Sequence, residues 1–530
     1  MSASNGMKTE NDYSVYPGVI RWVILFAVML GTIMQVLDTS IVNVAIPYMM
    51  GNLGATIDEI NWVSTAYMIS NVILLPLTGW LSLRFGRKRY LAYSIMLFTA
   101  ASFCCGMSTS LNQLILFRII QGAGGAALIS TAQATLIEIF PPQQLGMVQG
   151  VYAIGVITAP TIGPTLGGWI TDNYSWPWIF FVNIPIGIIA ATLTLIFLKD
   201  SIYQTNSRGK VDFLGIVFLA IGLSCMQVVL EKGDRDDWFQ SNFIVTLTVI
   251  SVVALFIFIY WELHTKDPAV NLRILKNRNF AAGVTFAVIY GFALYGGIFV
   301  IPIFFQNIRQ YTAEQTGLIF LPGGLASMFV QPIAARLISR VSARRLIAVG
   351  VASFAASMYL MHFLTDLTGP EDFYWPLVLR GVATGFMFIP LTLATLTGLK
   401  GKDLAYGTGL YNLMRYVGGS VGIAWLSTMV DNRISYHRSH LVNNANYYNP
   451  AFLHRMDTLV RIFIAKGAAL NVARMQALGM IDASIQTQAS VMAFGDTLLF
   501  IARILLFSLP LLLLFRRGVP KAISKSVVSE

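Results

Sequence analysis

The chain has 530 residues, 56% of them hydrophobic and only 12% charged, with a mean hydropathy of +0.66. A soluble protein of this length carries far more charge, so that class is excluded and an all-α polytopic membrane protein is expected. The net charge of +11 does not point to nucleic acid, because the lysines and arginines cluster between apolar runs, where they set topology.

Met1 to Gly18 is polar, and the apolar run after it is full-length rather than the short core of a signal peptide, so the first span is expected to be uncleaved. Apolar runs long enough to cross a bilayer, about 20 residues each, then recur throughout. Spans 1 to 8 are placed near 20–47, 60–82, 90–108, 112–137, 146–171, 178–198, 212–231 and 242–262. Spans 9 to 14 follow near 280–305, 315–339, 345–365, 374–397, 404–430 and 493–516. Loops after even-numbered spans hold Arg84, Arg87, Lys88 and Arg89, then Lys199, Arg208 and Lys210, then Lys266, Arg273, Lys276 and Arg278. Arg340, Arg344, Arg345, Lys400 and Lys402 fall on the same side, whereas short loops opposite offer Lys232, Arg235 and Arg309. That asymmetry predicts both termini in the cytoplasm. Cys104, Cys105 and Cys225 all lie within apolar spans and read as small core residues rather than a disulfide framework.

An internal repeat emerges when PLTGWLSLRFGRKRYL from Pro76 is laid over PIAARLISRVSARRLI from Pro332. Pro76 matches Pro332, Leu81 matches Leu337, Arg84 matches Arg340 and Arg89 matches Arg345; further on, Arg118 in span 4 has a mate in Arg380 of span 12. The expected organisation is a six-helix half over 1–198, two inserted helices with their linkers over 199–279, a second half over 280–516 that includes a long outer loop at 431–490, and a tail at 517–530. An even insertion leaves both halves in one orientation, as parallel repeats require, with a binding site near the midplane.

Asp38 is the one acidic residue placed well inside a span, where a carboxylate costs on the order of 2.5–3.5 kcal/mol. Intramembrane ionisable groups point to proton or ion pathways, so Asp38 is a candidate proton carrier with Arg118, at similar depth in span 4, as its partner. The alternative is a salt bridge that only fixes helix packing. Arg380, Arg415 and Arg503 add positive charge in or near the membrane without a deep carboxylate in spans 9–14. In span 5, GVITAPTIGPTLGGW repeats Gly155, Ala159, Gly163 and Gly167 every fourth residue, with Gly168 beside the last. That face lacks side-chain bulk and permits close helix contact, while Pro160 and Pro164 favour a bend. Such a helix suits a sliding seam between the halves; static tight packing is the alternative. Span 9 is dense in aromatic residues and glycine, so Tyr290, Phe292 and Tyr295, with Arg415, are candidates for lining a substrate cavity. GGSVG at 418–422 and the Gly122–Ala127 run mimic catalytic and nucleotide-binding patterns but lie in apolar helical stretches, and read as small-residue helix contacts. His437 and His440 lack a third ligand, so no metal site is expected.

Several stretches together resemble the signature motifs of the major facilitator superfamily: LDTSIVNVAIP (37–47), GWLSLRFGRKRYL (79–91), LFRIIQGAGGA (116–126) and GVITAPTIGPTLGGWI (155–170). WPWIFFVNIPIG (176–187), GFMFIPLT (385–392) and NLMRYVGGSVG (412–422) extend the similarity to its fourteen-helix drug:proton antiporters of the EmrB type. The resemblance implies proton coupling for Asp38 with Arg118, an antiporter motif over Gly155–Gly168, and a cytoplasmic gating loop at Gly79, Arg84, Gly86 and Arg87. Leu83 stands where that loop motif usually has aspartate, so a charge relay through that position is not expected. The resemblance further implies a bacterial inner-membrane location, and a periplasmic adaptor and outer-membrane channel as partners. The helical apolar pattern of 452–475 marks loop 431–490 as a candidate contact surface, or as an interfacial helix lying on the bilayer.

The function these features imply is proton-coupled export of hydrophobic or amphipathic compounds by alternating access, with no cofactor and with the proton gradient as the drive. Two readings remain beside it at this stage: an uptake symporter on the same fold, and a receptor or regulatory subunit that binds without transporting. The absence of a metal cluster or placed nucleophile argues against an enzyme.

Overall fold

The computed structural model describes residues 16–200, 211–338, 340–446 and 448–515; the loop residues Arg208 and Lys210 and the tail 517–530 lie outside them. Every predicted span falls on helix, and among the described residues there is no strand. Among the described residues, ten helices are long and apolar enough to cross a membrane, or up to twelve if each of two bent pairs counts as one span. The remaining two predicted spans, 3 and 13, are the helices Arg87–Gly106 and Lys402–Asn444, long enough to cross but more polar in composition.

Local chemistry explains the breaks. Span 2 divides into helices Trp62–Leu74 and Thr78–Phe85, bent by 62°; Pro76 lies in the gap, where its missing N–H interrupts the backbone ladder. Span 5, Pro142–Asn173, bends by 44° between its segments on either side of Thr161, next to Pro160. Gly86, at φ +88°, separates span 2 from span 3 in a backbone conformation that favours glycine. Span 10 starts with a capping box in which Thr312 and Gln315 satisfy each other's backbone N–H groups.

The packing of the first six spans recurs in the last six. Span 1, Gly18–Leu53, packs on spans 5 and 6, and span 9, Arg278–Asn307, packs on spans 13 and 14. Span 4, Leu111–Ile139, packs on spans 2 and 3, as span 12, Pro370–Leu396, packs on spans 10 and 11. Between halves, span 2 meets span 13 and span 5 meets span 10, the two contacts that a two-fold relation between the halves would exchange. Spans 7 and 8, Phe213–Lys232 and Asn242–His264, pack on each other and lie beside the seam of spans 2 and 13.

The region read as loop 431–490 is largely helical. Span 13 runs on unbroken to Asn444, and at 1.5 Å per residue its 43 residues extend about 65 Å, twice the hydrocarbon thickness. Span 14 begins at Leu470 and continues to Ser508. Between them lies helix Pro450–Ala465, none of whose residues is buried. The helical pattern of 452–475 is therefore interrupted, at a turn where Gly467 has φ +94°. The span boundaries fail here because a helix leaving the bilayer becomes polar, and hydropathy no longer follows it.

GGSVG is a helix contact, as its apolar setting implies. A Cβ on Gly418 would run into the Val288 backbone, 2.7 Å from its Cα, and one on Gly422 would lie 2.7 Å from Phe292 O. Gly418→Leu is expected to push span 13 off span 9 and lower stability by about 1–3 kcal/mol or more; thermal unfolding of the purified protein in detergent measures it.

Candidate functional site

Asp38 has no solvent exposure, and Arg118 almost none. The structure brings them together: Arg118 Nη1 lies 2.5 Å from Asp38 Oδ2. The second carboxylate oxygen, Oδ1, accepts from Gln121 Nε2 at 2.9 Å and Asn183 Nδ2 at 3.1 Å. Arg118 donates further to Gln121 Oε1 at 2.8 Å and Val63 O at 3.1 Å, and its guanidinium sits 4.1 Å over the Tyr67 ring. Asn183 is oriented by a bond to Ser102 Oγ, which donates to Phe180 O. Desolvation of a buried pair exceeds its Coulomb attraction unless the remaining polar atoms are satisfied; here the two amides, the carbonyl and the aromatic face supply those contacts. Sequence reading missed Gln121, Asn183, Ser102 and Tyr67. The available signal was an amide one turn from Arg118 and another inside the WPWIFFVNIPIG motif.

The span-5 glycines pack differently from the predicted sliding seam. A Cβ on Gly155 would lie 2.7 Å from Ile33, one on Gly163 2.8 Å from Ser40 Cβ, and one on Gly167 2.8 Å from Ile41. All three neighbours belong to span 1, so the bare face makes a close contact within the first half. It seats span 5 directly on the turn of span 1 that follows Asp38. Ala159 is buried, Gly168 faces open space, and Pro164 approaches Gly317 at the start of span 10. The seam itself is reached at Gly146, where a Cβ would be 2.5 Å from Ala335 O of span 10.

In the second half, Arg415 is buried between the rings of Phe388 and Tyr416, 5.7 and 5.8 Å away. Tyr416 stacks on Tyr295, and the fully buried Tyr290 hydroxyl has no hydrogen-bond partner. Arg415, Tyr290 and Tyr295 are thus brought together. Phe292 is not: its ring packs on Phe500 of span 14. Arg380 is buried with its NH1 unpartnered, 5.3 Å over Phe320, while Arg503 is exposed on the outside of the bundle. Across the seam, Asn412 Nδ2 of span 13 donates to Gln133 Oε1 of span 4 at 2.8 Å. The result is an inner wall of amides, tyrosines and arginines between two apolar halves. His437 bonds Asp496, and among the described residues no group of three or more side chains is arranged to hold a metal.

The model of the Major Facilitator Superfamily matches residues 28–423. The chain belongs to the Major Facilitator Superfamily. It is 36% identical over 477 residues to the multidrug export protein EmrB of Escherichia coli strain K12, covering 89% of this chain and 91% of that one. It is 34% identical over 501 residues to the fatty acid resistance protein FarB of Neisseria gonorrhoeae, covering 94% and 96%. These relatives place it in the EmrB-type branch and, with its apolar helices, make it a multi-pass inner-membrane protein. Two solved structures share the fold at low identity. The human organic anion transporter MFSD10 gives a TM-score of 0.55 at 14% identity, covering 92% of this chain and 100% of that one. The proton:xylose symporter XylE gives 0.55 at 13%, covering 94% and 100%.

With the orientation that the loop charges predict, the superfamily's loop after span 2 holds the inner end of the seam. A Cβ on Gly79 would lie 2.6 Å from Ala405 O of span 13, so only glycine allows this approach. Leu83, in place of the motif's aspartate, is buried. Arg84 lies 5.2 Å over Trp80, and the buried Arg87 makes its ion pair with Glu138 at the end of span 4. The charge contact of this loop therefore runs to span 4.

The outer end of the same seam is bridged by the turn between spans 7 and 8. On the first half, Glu231 accepts from Thr65, Lys232 lies 4.5 Å over Trp62, and Arg235 pairs with Asp58. On span 13, Ser427 donates to Asp234 at 2.6 Å, and Trp238 Nε1 donates to Thr428 at 2.8 Å. Asp237 and Trp238 hold left-handed φ of 54° and 50°, uncommon for residues with side chains.

Two predictions follow from this geometry. Arg118→Leu leaves a buried carboxylate unpaired and is expected to cost about 3–5 kcal/mol, read by thermal unfolding; adding Asp38→Asn recovers most of it. At the outer bridge, Asp234→Ala with Trp238→Phe removes two hydrogen bonds of about 0.5–1.5 kcal/mol each. That shifts the outer seam toward opening by about tenfold, measured as faster labelling of Thr131→Cys, at a position buried in span 4, by a membrane-impermeant thiol reagent in a background lacking the three native cysteines.

Proposed function

We propose that this protein is a proton-coupled multidrug exporter that moves hydrophobic or amphipathic compounds out of the cell by alternating access. The observation that carries the coupling is the buried Asp38–Arg118 pair, a single carboxylate with one counter-charge and two amide donors. The export reading is supported by the relatives, a multidrug export protein and a fatty acid resistance protein matched over most of their length. Both termini are read as cytoplasmic from the charge asymmetry of the loops.

In this scheme the outward-facing form admits outer water to Asp38. Protonation removes the charge that Arg118, Gln121 and Asn183 jointly hold, which loosens span 1 from spans 4 and 6. Because Gly163 and Gly167 sit against Ser40 and Ile41, a movement of that turn carries span 5 with it, and span 5 meets the other half at span 10. Release of the proton inside restores the pair and resets the cycle. Substrate is read as bound at the wall formed by Tyr290, Tyr295 and Arg415, where rings supply contact area and the guanidinium a polar handle. Each proton moving down 100 mV supplies about 2.3 kcal/mol, against about 1.4 kcal/mol for tenfold uphill export of a neutral compound. One proton per cycle suffices at that gradient. The projecting helices beyond Asp431, with the wholly unburied Pro450–Ala465, form the surface proposed to meet a periplasmic adaptor that continues the path to an outer-membrane channel.

The test is collapse of an imposed acid-inside gradient in inverted vesicles on addition of lipophilic compounds, followed with a pH-sensitive dye. Wild type is expected to dissipate the gradient, and Asp38→Asn at equal abundance is not. Equal responses from both would make Asp38 a structural partner of Arg118 and place the coupling group elsewhere.

A further inference from the structure

Spans 7 and 8 have no counterpart in the six-helix repeat, and their cytoplasmic base carries two buried carboxyl groups. Asp212 caps span 7: its Oδ1 accepts from Gly215 N at 2.9 Å and from the Trp261 indole at 2.8 Å. Glu262, near the end of span 8, has no solvent exposure and accepts through Oε1 from Val270 N at 3.1 Å. The two side chains meet over Gly215. A Cβ there would lie 2.6 Å from Asp212 Oδ2 and 2.9 Å from Glu262 Oε1, so the bare glycine is what leaves them room. Each carboxyl group keeps one oxygen, Asp212 Oδ2 and Glu262 Oε2, that is buried and without a hydrogen-bond partner. Among the described residues no lysine, arginine or histidine forms an ion pair with either.

Two ionised carboxylates side by side in a buried place, without a cation, repel each other and lose hydration together; such a pair binds a proton and titrates as a unit. One proton removes the repulsion and turns an acceptor into a donor, which gives the unpartnered Asp212 Oδ2 a role. We propose that Asp212 and Glu262 form a second proton-binding site, holding one shared proton at neutral pH at the cytoplasmic base of the inserted helices.

The surroundings reinforce the need for that proton. Tyr406 of span 13 lies within electrostatic reach of Glu262 and of the acidic Asp267 and Asp403. Tyr406 is also the residue whose Cα would lie 2.7 Å from a Cβ on Gly79, so the site adjoins the inner end of the seam between spans 2 and 13. Loss of the proton adds a second negative charge behind Tyr406 and weakens the hold of the inserted pair on that seam. This site is independent of the coupling role read for Asp38.

Infrared spectroscopy of the full-length protein in lipid tests it without any transport step. Wild type at neutral pH is expected to show the C=O stretching band of a protonated carboxyl group. Glu262→Gln and Asp212→Asn are each expected to remove that band, because either amide ends the carboxyl–carboxylate repulsion, and Asp38→Asn is expected to leave it. Both amide variants keep the shape of the protonated side chain, and unchanged helicity shows that they fold. A band absent from wild type, surviving either amide substitution, or lost in Asp38→Asn overturns the shared proton. The outcome is readable whether or not Asp38 couples export.

Discussion

A carboxylate and a guanidinium 2.5 Å apart, both almost without solvent contact, impose the main constraint on the first half of this protein. Their net energy is small or unfavourable unless neighbouring dipoles replace water. The structure meets that requirement from four helices besides span 1: Val63 O and Tyr67 of span 2, Ser102 of span 3, Gln121 of span 4 and Asn183 of span 6. The packing of the first half is therefore tied to the charge state of one residue. A neutral Asp38 keeps its shape and loses the charge-assisted share of those bonds, which are roughly twice as strong as neutral ones. Among the described residues, the second half has no such acid. Its buried arginines rest on aromatic faces and leave nitrogen atoms unpartnered, so the repeat in helix packing is paired with an asymmetry in chemistry.

Glycine decides which contacts are fixed and which are thin. Spans 1 and 5 are pressed together through Gly155, Gly163 and Gly167, and spans 9 and 13 through Gly291, Gly418 and Gly422. In lipid, close backbone approach of this kind is the main source of helix association, so each half holds as a unit. The seams between halves rely on fewer close approaches, at Gly79, Gly146 and Gly409, and on neutral amide bonds such as Asn412 to Gln133. Bodies that are firm within and lightly joined between are what rigid-body rocking requires.

The sequence carries the span positions because apolar length is dictated by the bilayer, and it carries Asp38 and Arg118 because isolated charges in apolar runs stand out. Gln121 and Asn183 were not legible in the same way, since an uncharged amide in a span has several ordinary explanations. The spacing of the span-5 glycines shows that one face is bare but not what lies opposite, and the expected seam proved to be span 1. Phe292 fails as a cavity residue for a related reason: aromatic density does not say which rings turn inward and which, like this one on Phe500, turn toward a neighbouring helix. Where spans 13 and 14 leave the membrane the hydropathy signal ends, although the helices do not.

The inserted pair is where physical reading departs most from the repeat. Two added helices do not disturb the orientation of the halves, so topology alone places no demand on them. Their position does: they lie against the seam of spans 2 and 13 and not against that of spans 5 and 10. At the outer end their turn bonds both sides of the seam, through Arg235 and Asp58 on one and Asp234 and Trp238 on the other. At the inner end Glu262 stands behind Tyr406, which touches Gly79. Any opening between spans 2 and 13 must break the outer bridge or carry the pair along with one half. On the span 2 side the bridge holds the partly buried Thr65–Glu231 bond and the Lys232–Trp62 contact, beside the exposed Arg235–Asp58 pair, which contributes little in water. The bonds of Asp234 and Trp238 to span 13 are partly buried as well, so the turn ties both halves together and an opening here gives up the contacts on one side.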